Sequence, residues 1–282
     1  MNTIIEVTDF SYRYNEAHEA ALKKINFNVQ QGDFIAVIGG NGAGKSTLCN
    51  ALAGLIPNYF VGYYEGTIEI KGKSTSEVGV GELSQTVGLV FQNPFNQLSY
   101  TADTVIEELA FGLGNRGLPK EEMLKKINKV AEVVQITDLL DRNPLELSGG
   151  QVQRVALAAA IILEPEILLL DECTTQLDPV GSQQIMKTVN ELNQKGMTII
   201  MVDHDMEKVA ELANKVIVLY EGRIALWDTP ENVFTTPNLV DYKVSAPDYY
   251  EITKEYSPDS AILTEKTAAR MLQEVLKNED RS

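Results

Sequence analysis

Residues Gly39-Gly40-Asn41-Gly42-Ala43-Gly44-Lys45-Ser46 match the pattern GxxxxGK[ST] in full. Glycines at such spacing let the backbone curl until its N–H groups point inward, and a following helix adds the positive end of its dipole. The result is a cradle for phosphate groups, with Lys45 reaching the β- and γ-phosphates and Ser46 offering a hydroxyl to Mg²⁺. Far downstream, Ile167-Leu168-Leu169-Leu170-Asp171-Glu172 is an apolar strand pattern ending in two carboxylates. Beside a phosphate loop, Asp171 suits a Mg²⁺ ligand and Glu172 suits a general base for an attacking water. Adjacent acids at a strand end are by themselves often only solvated charge; the upstream loop gives them chemistry. A third feature is Leu147-Ser148-Gly149-Gly150-Gln151 ahead of a helical run. A hydroxyl and two bare backbone N–H groups at a helix start form an anion site, although a Ser-Gly-Gly turn alone is an ordinary helix cap.

These residues need elements to hold them. Residues 34–38 are apolar and end in glycines, and a helical pattern follows over 45–55. Residues 4–10 and 25–29 read as strands, with a turn-rich stretch carrying Tyr12 and Tyr14 between them. Strand patterns recur at 66–70, 87–91, 167–170, 198–202 and 216–219, interleaved with helices, so a largely parallel core sheet is expected. Between residues 101 and 163 the pattern is helical without a convincing strand, as for a helical insertion. After Trp227 a short helix begins at Thr229-Pro230-Glu231, and irregular proline- and tyrosine-rich sequence follows. Residues 264–277 read as an amphipathic helix with Ala268, Met271, Leu272, Val275 and Leu276 on one side.

Composition removes several function classes. The chain has 282 residues, 44% hydrophobic and 23% charged, which is ordinary for a globular protein. Lys plus Arg is 24 against 40 Asp plus Glu, a net charge of −16 that repels a nucleic-acid backbone. The longest apolar run, residues 155–163, is cut by Glu164 and Pro165 and falls short of the roughly 18 residues a membrane helix needs. The N-terminus has neither a basic region nor a small-residue cleavage site, so no signal peptide is expected. Cys49 and Cys173 form no CxxC pattern and suit a reducing compartment, and two histidines, His18 and His204, exclude a His-rich metal cluster. Any membrane role must come through a partner.

The phosphate loop, the LSGGQ pentapeptide and the ILLLDE strand, in this order and spacing, resemble the nucleotide-binding subunits of ATP-binding cassette (ABC) transporters. The resemblance spans roughly residues 3–225; P-loop kinases and GTPases share the first motif and lack LSGGQ. It implies an α/β P-loop NTPase core, residues 1–228, with a helical subdomain at about 94–165 and a C-terminal extension, 229–282, that serves in dimerisation or as a packing extension. It also implies ATP and Mg²⁺, with Gly40 through Thr47 on the nucleotide and Ser46, Gln92 and Asp171 on the metal. Gln92 matches the Q-loop glutamine, Asp178 the D-loop aspartate and His204 the switch histidine near the γ-phosphate. Tyr14 resembles the aromatic that stacks on adenine, with Tyr12 as the alternative. In the family two cassettes pair head to tail, so that Ser148, Gly149, Gly150 and Gln151 of one chain close over the ATP held by the other. Two departures stand out: Gln176 where many relatives have a small residue, and Cys173 where Pro or Ala is common. Neither removes a catalytic group.

The segment Phe91-Gln92-Asn93-Pro94-Phe95-Asn96-Gln97, residues 103–113 and Asn115-Arg116-Gly117-Leu118-Pro119 are similar to the energy-coupling factor ATPases. That branch implies vitamin, micronutrient or metal-ion import. Its partners would be a second ATPase subunit (the same chain or a paralogue), a transmembrane coupling protein and a small substrate-binding membrane protein. The site of action would be the cytoplasmic face of the cell membrane. Another ABC importer or exporter is the alternative. A non-transport ABC ATPase working on DNA or ribosomes is less favoured: only about a hundred residues separate the loop from LSGGQ, leaving no long coiled coil, and the chain holds one cassette and is acidic.

Overall fold

Strands β3 (Phe34–Ile38), β7 (Ile167–Asp171) and β8 (Thr198–Val202) are buried along their whole length. That is why their sequences are unbroken apolar runs instead of alternating ones. In the computed structural model, which describes residues 2–99, 101–256 and 261–279, they are the middle of a six-stranded sheet. With β6 (Val87–Val90), β9 (Lys215–Tyr220) and β10 (Arg223–Asp228), its order is β10-β9-β3-β8-β7-β6, all parallel except the β10 edge. The pleat sends alternate residues to two separate cores. Phe34, Ala36, Leu168, Leu170, Ile199 and Met201 face a helical layer. Ile35, Val37, Ile167, Leu169, Ile200 and Val202 face the helix Lys45–Leu52 and a second sheet.

That second sheet is antiparallel, with β1 (Thr3–Tyr14), β2 (Leu22–Gln30), β4 (Gly62–Ile70) and β5 (Lys73–Ser74) in the order β2-β1-β4-β5. The expected turn around Tyr12 and Tyr14 is strand instead. A register shift between Thr8 and Ser11 lets β1 continue, pairing Tyr12 with Tyr64 and Tyr14 with Gly62. The expected helix over 45–55 ends at Leu52 because Gly54 takes a left-handed conformation, φ 71°.

The helical layer contains Val105–Asn115, Lys120–Val133 and Gly149–Ile161, with short helical turns between them and no strand. After β10, Thr229 caps the short helix Pro230–Phe234 by accepting from the Asn232 N–H. Val233, Phe234, Leu239, Val244 and Leu263 enter the same core as the helical layer. The last helix, Glu265–Glu279, buries Ala268; the side chains of Val275 and Leu276 lie outside the described residues. Among the described residues no helix is long and apolar enough to cross a membrane.

Candidate active site

The phosphate loop leaves the C-terminal end of β3 and enters the helix Lys45–Leu52. Two of its glycines, Gly39 and Gly44, are required by space as well as conformation. Gly39 has φ 147°, and a Cβ there would lie 2.2 Å from the Leu219 carbonyl oxygen of β9. Gly44 has φ 107°, and a Cβ would lie 2.6 Å from the Ala21 carbonyl oxygen. Lys45, only 7% exposed, folds back so that Nζ donates to the Gly39 and Gly40 carbonyls at 2.8 and 3.2 Å. Its ammonium is also 3.9 Å from Glu172 Oε1.

Parallel pairing of β7 with β8 brings the two carboxylates to the same mouth. Ser46 Oγ donates to Asp171 Oδ1 at 3.2 Å. Burial pushes the Asp171 carboxyl above its ordinary pKa; the Ser46 hydrogen bond opposes that shift and the adjacent Glu172 charge adds to it. Glu172 sits in a left-handed conformation, φ 49°, pinned by its N–H to the Val202 carbonyl at 3.0 Å. Its Oε2 accepts from Gln92 Nε2 at 2.7 Å. A serine hydroxyl, an aspartate and an amide oxygen are hard donors of the kind Mg²⁺ takes beside substrate phosphates, so the residues present fit that ion.

Tyr12 and Tyr14 share one face of β1 and are told apart by depth along the strand. Tyr12 points inward, 1% exposed, with its hydroxyl donating to the Phe60 carbonyl at 3.0 Å. Tyr14 is half-buried, its hydroxyl 3.2 Å from Thr47 Oγ1 and its ring edge-on to Tyr12 at 4.8 Å. Of the pair, Tyr14 is the one beside the phosphate loop.

The structure thus brings Tyr14, the residues from Gly40 to Thr47, Gln92, Asp171 and Glu172 to one place. It leaves others apart. Ser148 and Gln151 form a reciprocal cap: Ser148 Oγ accepts from the Gln151 N–H, and the Gln151 side chain accepts from the Ser148 N–H at 2.9 Å. Gly149 and Gly150 stay half-exposed at that helix start, and among the described residues no hydrogen bond or ion pair joins this segment to the phosphate loop. Asp178 caps the helix Pro179–Gln194, accepting from the Gly181 N–H at 2.9 Å. His204 is exposed, its N–H held by Asp203 Oδ1 at 2.8 Å, on a cleft of about 1300 Å³ shared with Asp203, Lys208 and Ser182. Cys173 is buried beside Glu172, its thiol pushed up to about 12 by burial, so it behaves as a small apolar group.

Gln97 has a place the residue pattern did not assign. Its Oε1 accepts from the Phe91 N–H at 3.3 Å and its Nε2 donates to the Ala156 carbonyl at 2.8 Å. One amide thereby ties the segment that carries Gln92 to the helix that begins at the glycine pair. The signal for it was a half-buried glutamine five residues after Gln92, legible only once the two elements are adjacent.

Residues 22–175 match the family model described as ABC transporter. The energy-coupling factor transporter ATP-binding protein EcfA1 of Lacticaseibacillus paracasei is 41% identical over 236 residues, covering 83% of this chain and 82% of that protein. The cbiO1 structure from Clostridium perfringens, part of the ABC transporter complex cbiONQ, superposes with TM-score 0.74 at 34% identity, covering 92% of this chain and 97% of that one. A dimeric ATP-binding cassette in a post-hydrolysis state with ADP and Pi gives TM-score 0.72 at 27% identity, covering 80% of this chain and 99% of that one.

Proposed function

The chain belongs to the ABC transporter ATP-binding family, and from that premise we infer that it is the ATP-hydrolysing subunit of an energy-coupling-factor-type importer. The observation that carries the hydrolytic reading is the convergence of Lys45, Ser46, Asp171, Glu172 and Gln92 at one mouth.

In this reading the ring of Tyr14 stacks on adenine, and the backbone N–H groups from Gly40 to Thr47 take the phosphates. Lys45 exchanges its loop carbonyls for phosphate oxygens. Ser46, Asp171 and Gln92 hold Mg²⁺, which when bound neutralises charge on the phosphates. Glu172, turned toward the loop by its backbone conformation and held by Gln92, orients a water and takes its proton. His204, two residues past the end of β8, is assigned in this reading to the γ-phosphate.

One chain leaves its site unfinished, because the Ser148–Gln151 helix start makes no bond to its own phosphate loop. Supplied by a second ATPase subunit, together with Asp178, it would close over the γ-phosphate, a contact that hydrolysis then removes. Such state-dependent contact shifts a conformational equilibrium in whatever is attached. The attached partners are a transmembrane coupling protein and a small substrate-binding membrane protein, which place this subunit peripherally on the cytoplasmic face of the membrane. Exposed Phe95 and Phe111, on the segment after Gln92 and on the helix Val105–Asn115, support a docking surface there. The core at residues 1–228, the helical subdomain at 94–165 and the extension at 229–282 divide the work, with dimer contact assigned to the extension.

Purification of the tagged chain from mild-detergent extracts of its native membranes, followed by mass spectrometry, tests this. Recovery of a second cassette, one coupling protein and small membrane proteins is expected. A single permease pair with a dedicated binding protein would move the chain to a conventional importer, and ribosomes or chromatin would overturn the transport reading.

A further inference from the structure

A short turn of the C-terminal extension lies on the phosphate loop. Leu239–Tyr242 is one helical turn flanked by two non-glycine residues in left-handed conformation, Asn238 at φ 62° and Lys243 at φ 59°. Such conformations are uncommon outside glycine and persist where the surroundings enforce them. Here Leu239 and Val244 are both buried in the core, fixing the turn on either side of Lys243. Tyr242 stacks edge-on against Tyr220 at 5.8 Å, which ties the turn to β9. The preceding residue on β9, Leu219, is the one whose carbonyl confronts Gly39.

The consequence is a close approach. A Cβ on Gly40 would lie 3.2 Å from both Cβ and Cδ of Lys243 and 3.8 Å from its Cγ. The aliphatic stem therefore lies against Gly40, and the ammonium lies two bonds beyond Cδ. Gly40 marks a particular end of the cradle, because its carbonyl accepts from Lys45 Nζ, the group that also faces Glu172. Among the described residues no hydrogen bond or ion pair engages the Lys243 ammonium. Lys243 is exposed, so an unengaged cation whose stem lies against a phosphate loop, in a chain of net charge −16, is free to meet an anion there.

We propose that Lys243 is a nucleotide-contacting residue, a second cation for the γ-phosphate that the C-terminal extension supplies to its own chain's phosphate loop. The proposal rests on the nucleotide site described above. It makes the extension a reader of the triphosphate: ATP engages Lys243, ADP does not, and the turn from Asn238 to Lys243 carries the difference into the core through Leu239 and Val244.

Equilibrium titration of the full chain with Mg²⁺ and either a non-hydrolysable ATP analogue or ADP tests it. Lys243→Met keeps the stem over Gly40 and removes the charge. It should raise Kd for the triphosphate analogue about tenfold, the size of one charge-assisted hydrogen bond, and change Kd for ADP less than about twofold. Lys243→Arg should restore affinity to within about threefold. Lys45→Ala is the separate control and should lose both nucleotides. Wild-type affinity in Lys243→Met, or equal weakening of the two nucleotides, with Lys45→Ala behaving as expected, overturns the proposal and leaves the site reading intact. Undiminished binding in Lys45→Ala overturns the site reading and the proposal with it.

Discussion

Two residues apart on β1, Tyr12 and Tyr14 have the same chemistry, share a face and differ in depth, Tyr12 buried and Tyr14 half-buried. Sequence cannot separate them, because strand alternation puts both on one face and only their tertiary neighbours differ, the Phe60 carbonyl for Tyr12 and Thr47 for Tyr14. The loop glycines are the contrary case: their backbone requirement is written in the residue type, so Gly39 through Gly44 are legible without any structure. Tyr14→Ala should weaken ATP about 10- to 100-fold, the stacking contribution of one aromatic, as read by nucleotide titration. Tyr12→Phe should leave that affinity alone and cost about 1 kcal/mol of stability in denaturant unfolding, from the lost bond to the Phe60 carbonyl. Glu172→Gln should retain ATP binding and lower turnover by roughly 10²–10⁴, as expected for loss of a general base. Unchanged turnover in a steady-state phosphate-release assay would assign the base elsewhere.

Among the elements, the segment from Phe91 to Gln97 and the helix Gly149–Ile161 are joined by a single side chain. Gln97→Ala removes both of its bonds and strands the Phe91 N–H, so chemical unfolding should report a loss of about 1–3 kcal/mol. Nucleotide affinity should stay near wild type, since neither hydrogen bond of Gln97 reaches the phosphate loop. The buried strands β3, β7 and β8 were readable as apolar runs, and the helices between residues 101 and 163 as periodic ones. What sequence pattern missed were ends. The first helix stops early because one glycine turns left-handed, and β1 runs on because antiparallel pairing with β4 outweighs the turn-forming residues. The packing of Val233, Phe234, Leu239 and Val244 into the main core was equally invisible, because scattered apolar residues in irregular sequence carry no period.

For the whole molecule, charge and pairing oppose each other. Two chains of net charge −16 repel at long range, whereas the proposed pairing face is held by short-range contacts through bound nucleotide. ATP-dependent dimerisation of Glu172→Gln, followed by light scattering, should therefore strengthen as salt rises from about 0.02 to 0.15 M, over which the screening length falls from roughly 20 Å to 8 Å. A dimer that weakens over that range would mean that attractive charge pairs dominate the interface. The left-handed backbone at Glu172 has a last consequence. A glutamate there costs about 1–2 kcal/mol that glycine would not, and its charge works against the buried carboxylate next to it. Glu172→Gly should accordingly melt no lower than the wild type, and up to about 1 kcal/mol of added stability is expected, with turnover abolished. A protein selected for endurance alone would discard this side chain; its retention is the mark of a fold kept slightly uncomfortable in the service of work.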